Sequence, residues 1–214
     1  MIRLNNESGD MPFDASRGSI LDRIRTKPVK GPELPDIDPD AMLQFDDPIV
    51  RFTEMLEFVG GQAHHVKSAA EVTKILSKID VFRDAKQVVS LVPSAVEGTV
   101  NVEGIDDPHV FSSVDWTIAK GSFMVAENGS IWIDGKSLPH RVLLFIAQYL
   151  AIVVPASEIV SNMHQAYERV EGFGDRFGIF VSGPSKTADI EQSLVLGAHG
   201  CRKLQVFLVD DLNA

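Results

Sequence analysis

The sequence predicts an α/β fold with a mostly parallel β-sheet, helices on both faces and a central antiparallel hairpin. Three observations lead to this prediction. Strand-like and helix-like apolar patterns alternate over residues 62–92, and a β-α-β order joins parallel strands. Residues 116–134 contain two β-prone apolar runs joined by Asn128-Gly129, and Asn-Gly is the strongest short signal for a hairpin. The alternation of strand and helix then returns over residues 151–209.

The N-terminal segment, residues 1–45, is rich in Pro, Asp and Gly and contains one amphipathic stretch, residues 16–27. Ile20 and Ile24 share one face of the helix that this stretch predicts. The segment has too few apolar side chains to fold alone. We therefore expect an arm with a short helix, which wraps its own domain or reaches a neighbouring subunit, followed by a single α/β domain over residues 46–214.

The first part of that domain predicts a helix, a strand, a second helix and a second strand, in that order. Asp46 or Asp47 can cap the first helix, and Pro48 suits its first turn. Two glycines after Val59 end its apolar stripe. The predicted boundaries are helix 48–59, strand 62–67, a helix that starts at a Ser68–Glu71 capping box and runs through Ile79, and strand 87–92.

The middle of the chain predicts the hairpin, with one strand over residues 116–125 and the other over residues 130–134. The apolar stretch at residues 142–149 is ambiguous between helix and strand. The remaining predicted elements are strand 151–154, helix 157–170, strand 178–182, a loop at 183–187, helix 188–199 stopped by Gly200, and strand 204–209.

The best local signal for a binding site is the loop that opens the last predicted helix. A loop between a strand and a helix presents free backbone N–H groups, which favour anions. Ser185 and Thr187 add hydroxyls, and Lys186 adds a positive charge. Asp189 and Glu191 add negative charge, which competes with an anion for the helix end. A well-capped helix is the alternative interpretation. The candidate ligand-binding residues of this loop are Gly183, Pro184, Ser185, Lys186, Thr187, Asp189 and Glu191.

The second signal is the turn of the predicted hairpin. A carboxylate at a hairpin tip can act as a nucleophile or base if the fold buries it, and Glu127 is such a carboxylate. If the turn is exposed, Glu127 is only a turn residue, and both interpretations stay open. Asn128 and Gly129 are candidate ligand-binding residues beside it. We expect this turn and residues 183–189 to face one cavity at the carboxyl edge of the sheet.

Composition and charge exclude several classes of function. The chain has 20 Lys and Arg against 30 Asp and Glu, a net charge of −10, so no nucleic-acid partner is expected. The most apolar run, residues 142–156, is shorter than the roughly 20 residues of a membrane helix, so no membrane span is expected. The N-terminus lacks the pattern of a secretory signal, which indicates a cytoplasmic protein.

The cysteine content excludes another class of site. Cys201 is the only cysteine, so the chain cannot by itself supply the several thiolates of an iron–sulfur cluster or a zinc site. The six histidines are scattered along the chain. We therefore expect neither a metal site nor a bound cofactor.

Three segments together resemble one protein family. Residues 183–200 are similar to the signature of LUD-domain proteins, which take their name from lactate utilization. Residues 115–133 resemble the central hairpin of that family, and residues 16–25 resemble its N-terminal helix. On this resemblance the chain is identified as a LUD-domain protein of the lactate utilization protein C type.

The resemblance implies a fold like that of ribose-phosphate isomerases, sugar-phosphate deaminases and coenzyme A transferases. It also implies a place in a bacterial three-protein system that oxidises L-lactate to pyruvate, in which cysteine-rich partners hold the iron–sulfur centres. A chain with one cysteine corresponds to the cluster-free subunit, which would bind a small anionic metabolite or dock on the iron–sulfur proteins. A second resemblance leaves an alternative, because residues 126–129 are similar to the Ser-Glu-Asn-Gly element of coenzyme A transferases. Glu127 would then be the nucleophile that attacks an acyl thioester.

Overall fold

A computed structural model describes residues 12–27, 31–33, 38, 41–170, 177–188, 194–196 and 200–212. The chain divides into two compact units, Met1–Pro39 and Asp40–Ala214. In the first unit the described residues include one helix, α1 (Pro12–Arg25), which covers most of the helix predicted at residues 16–27.

The second unit contains the α/β domain. Its helices are α2 (Pro48–Phe58), α3 (Ala69–Leu76), α4 (Asp80–Arg83), α5 (Leu143–Ile146) and α6 (Met163–Val170). Its strands are β1 (Gln62–Ser68), β2 (Val88–Ser90), β3 (Trp116–Lys120), β4 (Phe123–Val125), β5 (Ser130–Asp134), β6 (Tyr149–Pro155), β7 (Ile159–Val160), β8 (Gly178–Val181), β9 (Lys186–Ala188), β10 (Leu194–Leu196) and β11 (Lys203–Asp211).

Five strands form the main sheet in the order β1-β11-β6-β3-β2, and every neighbouring pair in it is parallel. The first and the last of these strands in the chain therefore lie side by side, with Gln62 opposite Gln205. Both β6 and β11 are buried along most of their length, as expected for parallel strands that are covered on both faces. The predicted α/β fold with a mostly parallel sheet is confirmed.

Different helices cover the two faces of this sheet. Val72 and Leu76 of α3 pack on one face, in a cluster with Phe207. Phe52 and Leu56 of α2 pack on the other face, in a cluster that also contains residues of β4 and β5. The side chains of Phe52 and Leu56 are fully buried, and the burial of each contributes roughly 1.5–3 kcal/mol to the free energy of unfolding. The helix is therefore firmly held on the sheet.

A second sheet of four strands, in the order β7-β4-β5-β8, contains the predicted hairpin. Strands β4 and β5 pair antiparallel, with Val125 opposite Ser130. The single strand predicted over residues 116–125 is wrong, because the chain breaks after Lys120 and passes from the main sheet into the second one. Gly121 permits this passage, since a Cβ on it would lie 2.7 Å from Cγ2 of Ile131.

Two predicted helices differ from the structure. The helix predicted at residues 157–170 begins only at Met163, because Ile159 and Val160 pair with β4 as strand β7. The helix predicted at residues 188–199 is wrong where the structure describes it, because β9 and β10 pair as an antiparallel ladder there. Strand pairing overrides the local helical pattern in both segments.

The helix predicted through Ile79 is shorter than expected. It ends at Leu76, and Ser68 stands at its N-cap without a side-chain hydrogen bond, so the predicted capping box does not form. Among the described residues, no helix is long and apolar enough to cross a membrane.

Candidate functional site

Three loops meet at one edge of the four-stranded sheet. Strand β7 is parallel to β4, and β5 is antiparallel to both β4 and β8, so β4, β7 and β8 all end at the same edge. The loops after these ends begin with residues that include Glu127, Ser161 and Ser182. The two predicted site segments, residues 127–129 and 183–187, therefore emerge on the same side of this sheet.

Glu127 uses its carboxylate to hold the start of α6. Its Oε2 accepts a hydrogen bond of 2.8 Å from the backbone N–H of Met163, the first residue of that helix. Its own backbone N–H donates to the carbonyl of Ser161 over 2.9 Å. Asn162 completes the cap, because its Oδ1 accepts a bond of 3.0 Å from the backbone N–H of Gln165. A carboxylate at this position also interacts favourably with the helix dipole, so the half-buried Glu127 is part of the cap of α6.

Asn128 and Gly129 fix the turn against its surroundings. Asn128 Oδ1 accepts a hydrogen bond of 3.1 Å from the backbone N–H of Ser130, and the Asn128 carbonyl accepts one of 3.0 Å from Ser182 Oγ. Gly129 has a φ of +66°, and a Cβ on it would lie 2.6 Å from the backbone nitrogen of Leu56. Glycine suits both this dihedral angle and this close approach to α2, so these contacts give the turn a structural role.

The loop that begins at Gly183 also packs against α2. Gly183 has a φ of +73°, and a Cβ there would lie 2.5 Å from the carbonyl oxygen of Val59. The backbone N–H of Ser185 donates a bond of 2.9 Å to the carbonyl of Cys201. The loop is therefore fastened between the end of α2 and the start of β11.

These contacts place the loop at the amino edge of the main sheet, where its parallel strands begin. Pro184 Cγ and Lys186 Cε lie 3.5 and 3.9 Å from the position of a Cβ on Gly60, which lies two residues before the start of β1. The prediction that the loop lies at the carboxyl edge of the parallel sheet is therefore wrong. The reason is that β8, which leads into the loop, belongs to the four-stranded sheet and not to the parallel one. The loop after β8 lies near the beginnings of β1 and β11.

The loop lines a cavity of about 480 Å³, called the basic cavity below. Its described lining consists of residues 60–62, Pro184, Lys186 and residues 202–205. Lys186, Arg202 and Lys203 are basic, and none of the described lining residues is acidic. All three side chains are exposed, and none of them forms an ion pair within the described part of the chain. In a chain with a net charge of −10, the described lining of the basic cavity is a local cluster of positive charge.

Comparison with known proteins identifies the family to which these elements belong. The family model of the LUD domain matches residues 105–209, which include the hairpin turn and the loop beside the basic cavity. The matched segment, residues 105–209, is a LUD domain.

Several curated relatives of this LUD-domain chain carry the name lactate utilization protein C. The one from Shouchella clausii (strain KSM-K16) is 33% identical over 102 residues, which cover 45% of this chain and 44% of that protein. The one from Geobacillus thermodenitrificans (strain NG80-2) is 27% identical over 133 residues, which cover 59% of this chain and 53% of that protein. The chain spans about half the length of the curated relatives it matches.

A solved structure is similar to this chain in fold. The crystal structure of a DUF162 family protein from Deinococcus radiodurans matches with a TM-score of 0.59 at 21% sequence identity. The match covers 76% of this chain and 96% of that one. It confirms the α/β fold of the LUD-domain chain.

Two basic residues of the cavity, Arg202 and Lys203, are not among the site residues that the sequence predicts. Arg202 and Lys203 lie inside the matched LUD segment, at the start of the buried strand β11, whose first residue is Lys203. Two adjacent basic residues at the start of an apolar strand are a feature of the sequence that could have indicated a binding site. What the sequence does not reveal is that this strand begins beside Gly60 and Gln62, which precede the matched segment.

The other predicted site residues of the LUD domain do not all fall within the described structure. Asp189 and Glu191 lie outside the described residues. Thr187 lies in β9, where it pairs with Val195. Its predicted role in ligand binding stays a prediction.

The described part of the LUD-domain chain offers no framework for a metal ion. It contains no group of three or more His, Cys, Asp or Glu side chains that could hold one. Cys201 is buried, and this burial raises the pKa of its thiol. A thiol held in its neutral form is a weak metal ligand and a weak nucleophile.

Proposed function

We propose that this chain acts in lactate utilization, as a cytoplasmic, cluster-free component of a bacterial system that oxidises L-lactate to pyruvate, and that it binds a small anionic metabolite. The membership of the LUD-domain family and the name of the curated relatives support the process. Ligand binding is supported by the geometry of the loop that follows β8.

The observation that carries the proposed ligand binding is the lining of the basic cavity. Lys186, Arg202 and Lys203 bring three positive charges to a concave surface without an acidic side chain among its described lining residues. A cleft with charge of one sign raises the local concentration of ligands of the opposite sign. Lactate and pyruvate are both anions at neutral pH, so either is suited to this surface.

The proposed partners follow from the cysteine content of the chain. Oxidation of lactate releases two electrons, and a chain with one cysteine cannot by itself bind an iron–sulfur cluster to accept them. We therefore place the electron path in iron–sulfur partner proteins on which this chain docks. The ligand would be presented or sensed by this chain, and the redox step would take place on the partners.

The contacts of Glu127 favour a structural role over acyl transfer. A nucleophilic carboxylate must be available to the substrate, whereas Oε2 of Glu127 is engaged with the N–H of Met163. We therefore propose anion binding for this chain and not a transferase reaction.

The proposed function is tested by binding and by growth. Titration calorimetry of the purified chain with L-lactate and with pyruvate is expected to show saturable binding, and Arg202→Gln is expected to weaken it. In the native organism, deletion of the gene is expected to abolish growth on L-lactate, with growth on glucose as the control. Normal growth of the deletion strain on lactate would exclude the proposed process.

The proposed partners have their own test. A tagged chain is expressed from the native gene, and the proteins that copurify anaerobically are identified by mass spectrometry. Cysteine-rich iron–sulfur proteins in stoichiometric amounts are the expected result. Their absence from an otherwise intact preparation would contradict the docking proposal.

A further inference from the structure

We propose that the basic cavity selects a ligand with at least two negative charges, namely a small metabolite that carries either a phosphate ester or two carboxylates. This inference rests on the proposed function, because it names the ligand class of the same cavity. Charge, size and hydrogen-bond donors at the cavity support it independently.

The balance of charge at the cavity exceeds what a monoanion needs. Lys186, Arg202 and Lys203 supply three positive charges to the described lining. The carboxyl end of α2, followed by Gly60 and Gly61, also borders the cavity, and a helix end of this kind carries about half a negative elementary charge. The helix end therefore offsets about half of one positive charge, and a net charge of roughly +2.5 from the described lining stays available to a ligand.

The size of the cavity leads to the same conclusion. Lactate has six non-hydrogen atoms, and at about 30 Å³ for each atom, the share of a water molecule in the liquid, it fills roughly 180 Å³. The cavity measures about 480 Å³, which is within the range of small-ligand pockets. A monocarboxylate of the size of lactate would leave more than half of this volume to water, whereas a larger metabolite with two anionic groups can reach all three cations.

A series of hydrogen bonds engages the acceptor, but not the donor, of an amide that lines the cavity. His64 Nε2 donates to Gln205 Oε1 over 2.7 Å, and Gln205 Nε2 donates to Gln62 Oε1 over 2.6 Å. Gln205 is only 2% exposed, so its amide is held in one orientation by these two partners. These bonds engage Oε1 of Gln62, which lines the cavity, and its donor, Nε2, takes no part in them. Anionic oxygens are the acceptors that such donors prefer.

The test compares monoanions with dianions on the full chain. Titration calorimetry at pH 8 and constant ionic strength uses inorganic phosphate and malonate as dianions, and L-lactate and acetate as monoanions. We expect at least one dianion to bind about 10-fold more tightly than L-lactate, because its second charge meets a further cation. Tighter binding of phosphate identifies the phosphate-ester class, and tighter binding of malonate identifies the dicarboxylate class.

Charge-neutral variants locate the effect. Arg202→Gln and Lys203→Gln are each expected to weaken binding of the preferred dianion by about 5- to 10-fold, as is usual for one charge-assisted hydrogen bond. The matched control is Lys67→Gln, which removes the same charge from the exposed Lys67 near the opposite end of β1 and is expected to change affinity by less than about 2-fold. Circular dichroism verifies that each variant is folded. If one of the two cavity variants does not fold, the other one alone provides the test.

Two results would overturn the inference. If L-lactate binds as tightly as both dianions and the cavity variants weaken its binding, the cavity is a monoanion site; the dianion inference then fails while the proposed function stands. If no probe binds to the folded chain, or if Lys67→Gln weakens binding as much as the cavity variants, the basic cavity is not the ligand site. The growth of the deletion strain on lactate then tests separately whether the chain acts in lactate utilization.

Discussion

Gly129 allows the packing of the hairpin turn against α2 to be tested quantitatively. In Gly129→Ala the new methyl group would lie 2.6 Å from the nitrogen and 2.9 Å from the Cα of Leu56. Both atoms belong to the backbone of α2, which packs on the sheet, and they cannot move aside as a flexible side chain does. The dihedral angle of +66° costs a residue other than glycine about 1–2 kcal/mol, and the overlap costs about 1–3 kcal/mol more.

The expected loss of unfolding free energy is therefore about 2–5 kcal/mol, which lowers the Tm of a domain of this size by roughly 4–20 °C. Gly104 is the matched control, because it has a φ of +71° but no described atom within 4 Å of the place that a new methyl group would take. Gly104→Ala is expected to cost only the dihedral strain, about 1–2 kcal/mol. Differential scanning calorimetry and urea unfolding measure both changes. Equal losses in the two variants would refute the close contact between Gly129 and α2.

Three further predictions concern Glu127, Cys201 and the metal content. Glu127→Ala removes the acceptor for the N–H of Met163 and is expected to lower the free energy of unfolding in urea by about 0.5–2 kcal/mol. Glu127→Gln keeps an acceptor and is expected to lower it by less. A larger loss in the Gln variant would contradict the capping role. Burial raises the pKa of the Cys201 thiol, so a disulfide reagent at pH 8 is expected to label the native protein slowly and the urea-unfolded protein quickly, and rapid native labelling would be inconsistent with a buried thiol. The anaerobically purified chain is expected to be colourless with less than stoichiometric iron, and iron with inorganic sulfide at stoichiometric levels would show that a cluster is held, in which case ligands from a second chain must be sought.

Local pattern was sufficient to predict the parts of the fold that are held by local or repetitive contacts. The helix at Pro48–Phe58 follows from Asp47, whose carboxylate accepts hydrogen bonds from the backbone N–H groups of Ile49 and Val50 at its start. The hairpin follows from the positive φ of Gly129, which the Asn-Gly turn predicts. In both cases the decisive residues lie within a few positions of the element that they define.

Long-range contacts explain what the sequence did not reveal. Residues 116–125 are mostly apolar, and only the neighbours of Gly121 in space decide that the chain changes sheet there. Where the last helix was predicted, β9 pairs with β10 instead. Local helical propensity does not predict this pairing, because the pairing depends on contacts between two separate segments.

The basic cavity depends on contacts of the same kind. It requires β1 and β11 to be neighbours, so that Gln62 and Gln205 hydrogen-bond across 143 residues of sequence. Its cations come from two separate segments, one at Lys186 and one at residues 202–203. The loop beside Lys186 was predicted as a binding site, but the strand that leads into it was assigned to the wrong sheet, and the predicted edge was therefore the wrong one.

The most direct test of anion binding is to locate the bound anion by NMR. A ¹⁵N-labelled sample of the full chain is titrated with pyruvate and, separately, with inorganic phosphate, and the shifts of the backbone amides are followed. The amides of Gly60, Gly61, Lys186 and Arg202 are expected to shift together with one dissociation constant, because they border the basic cavity. Saturable shifts confined to the turn at Glu127 and the start of α6, with none at these four amides, would contradict the proposed site.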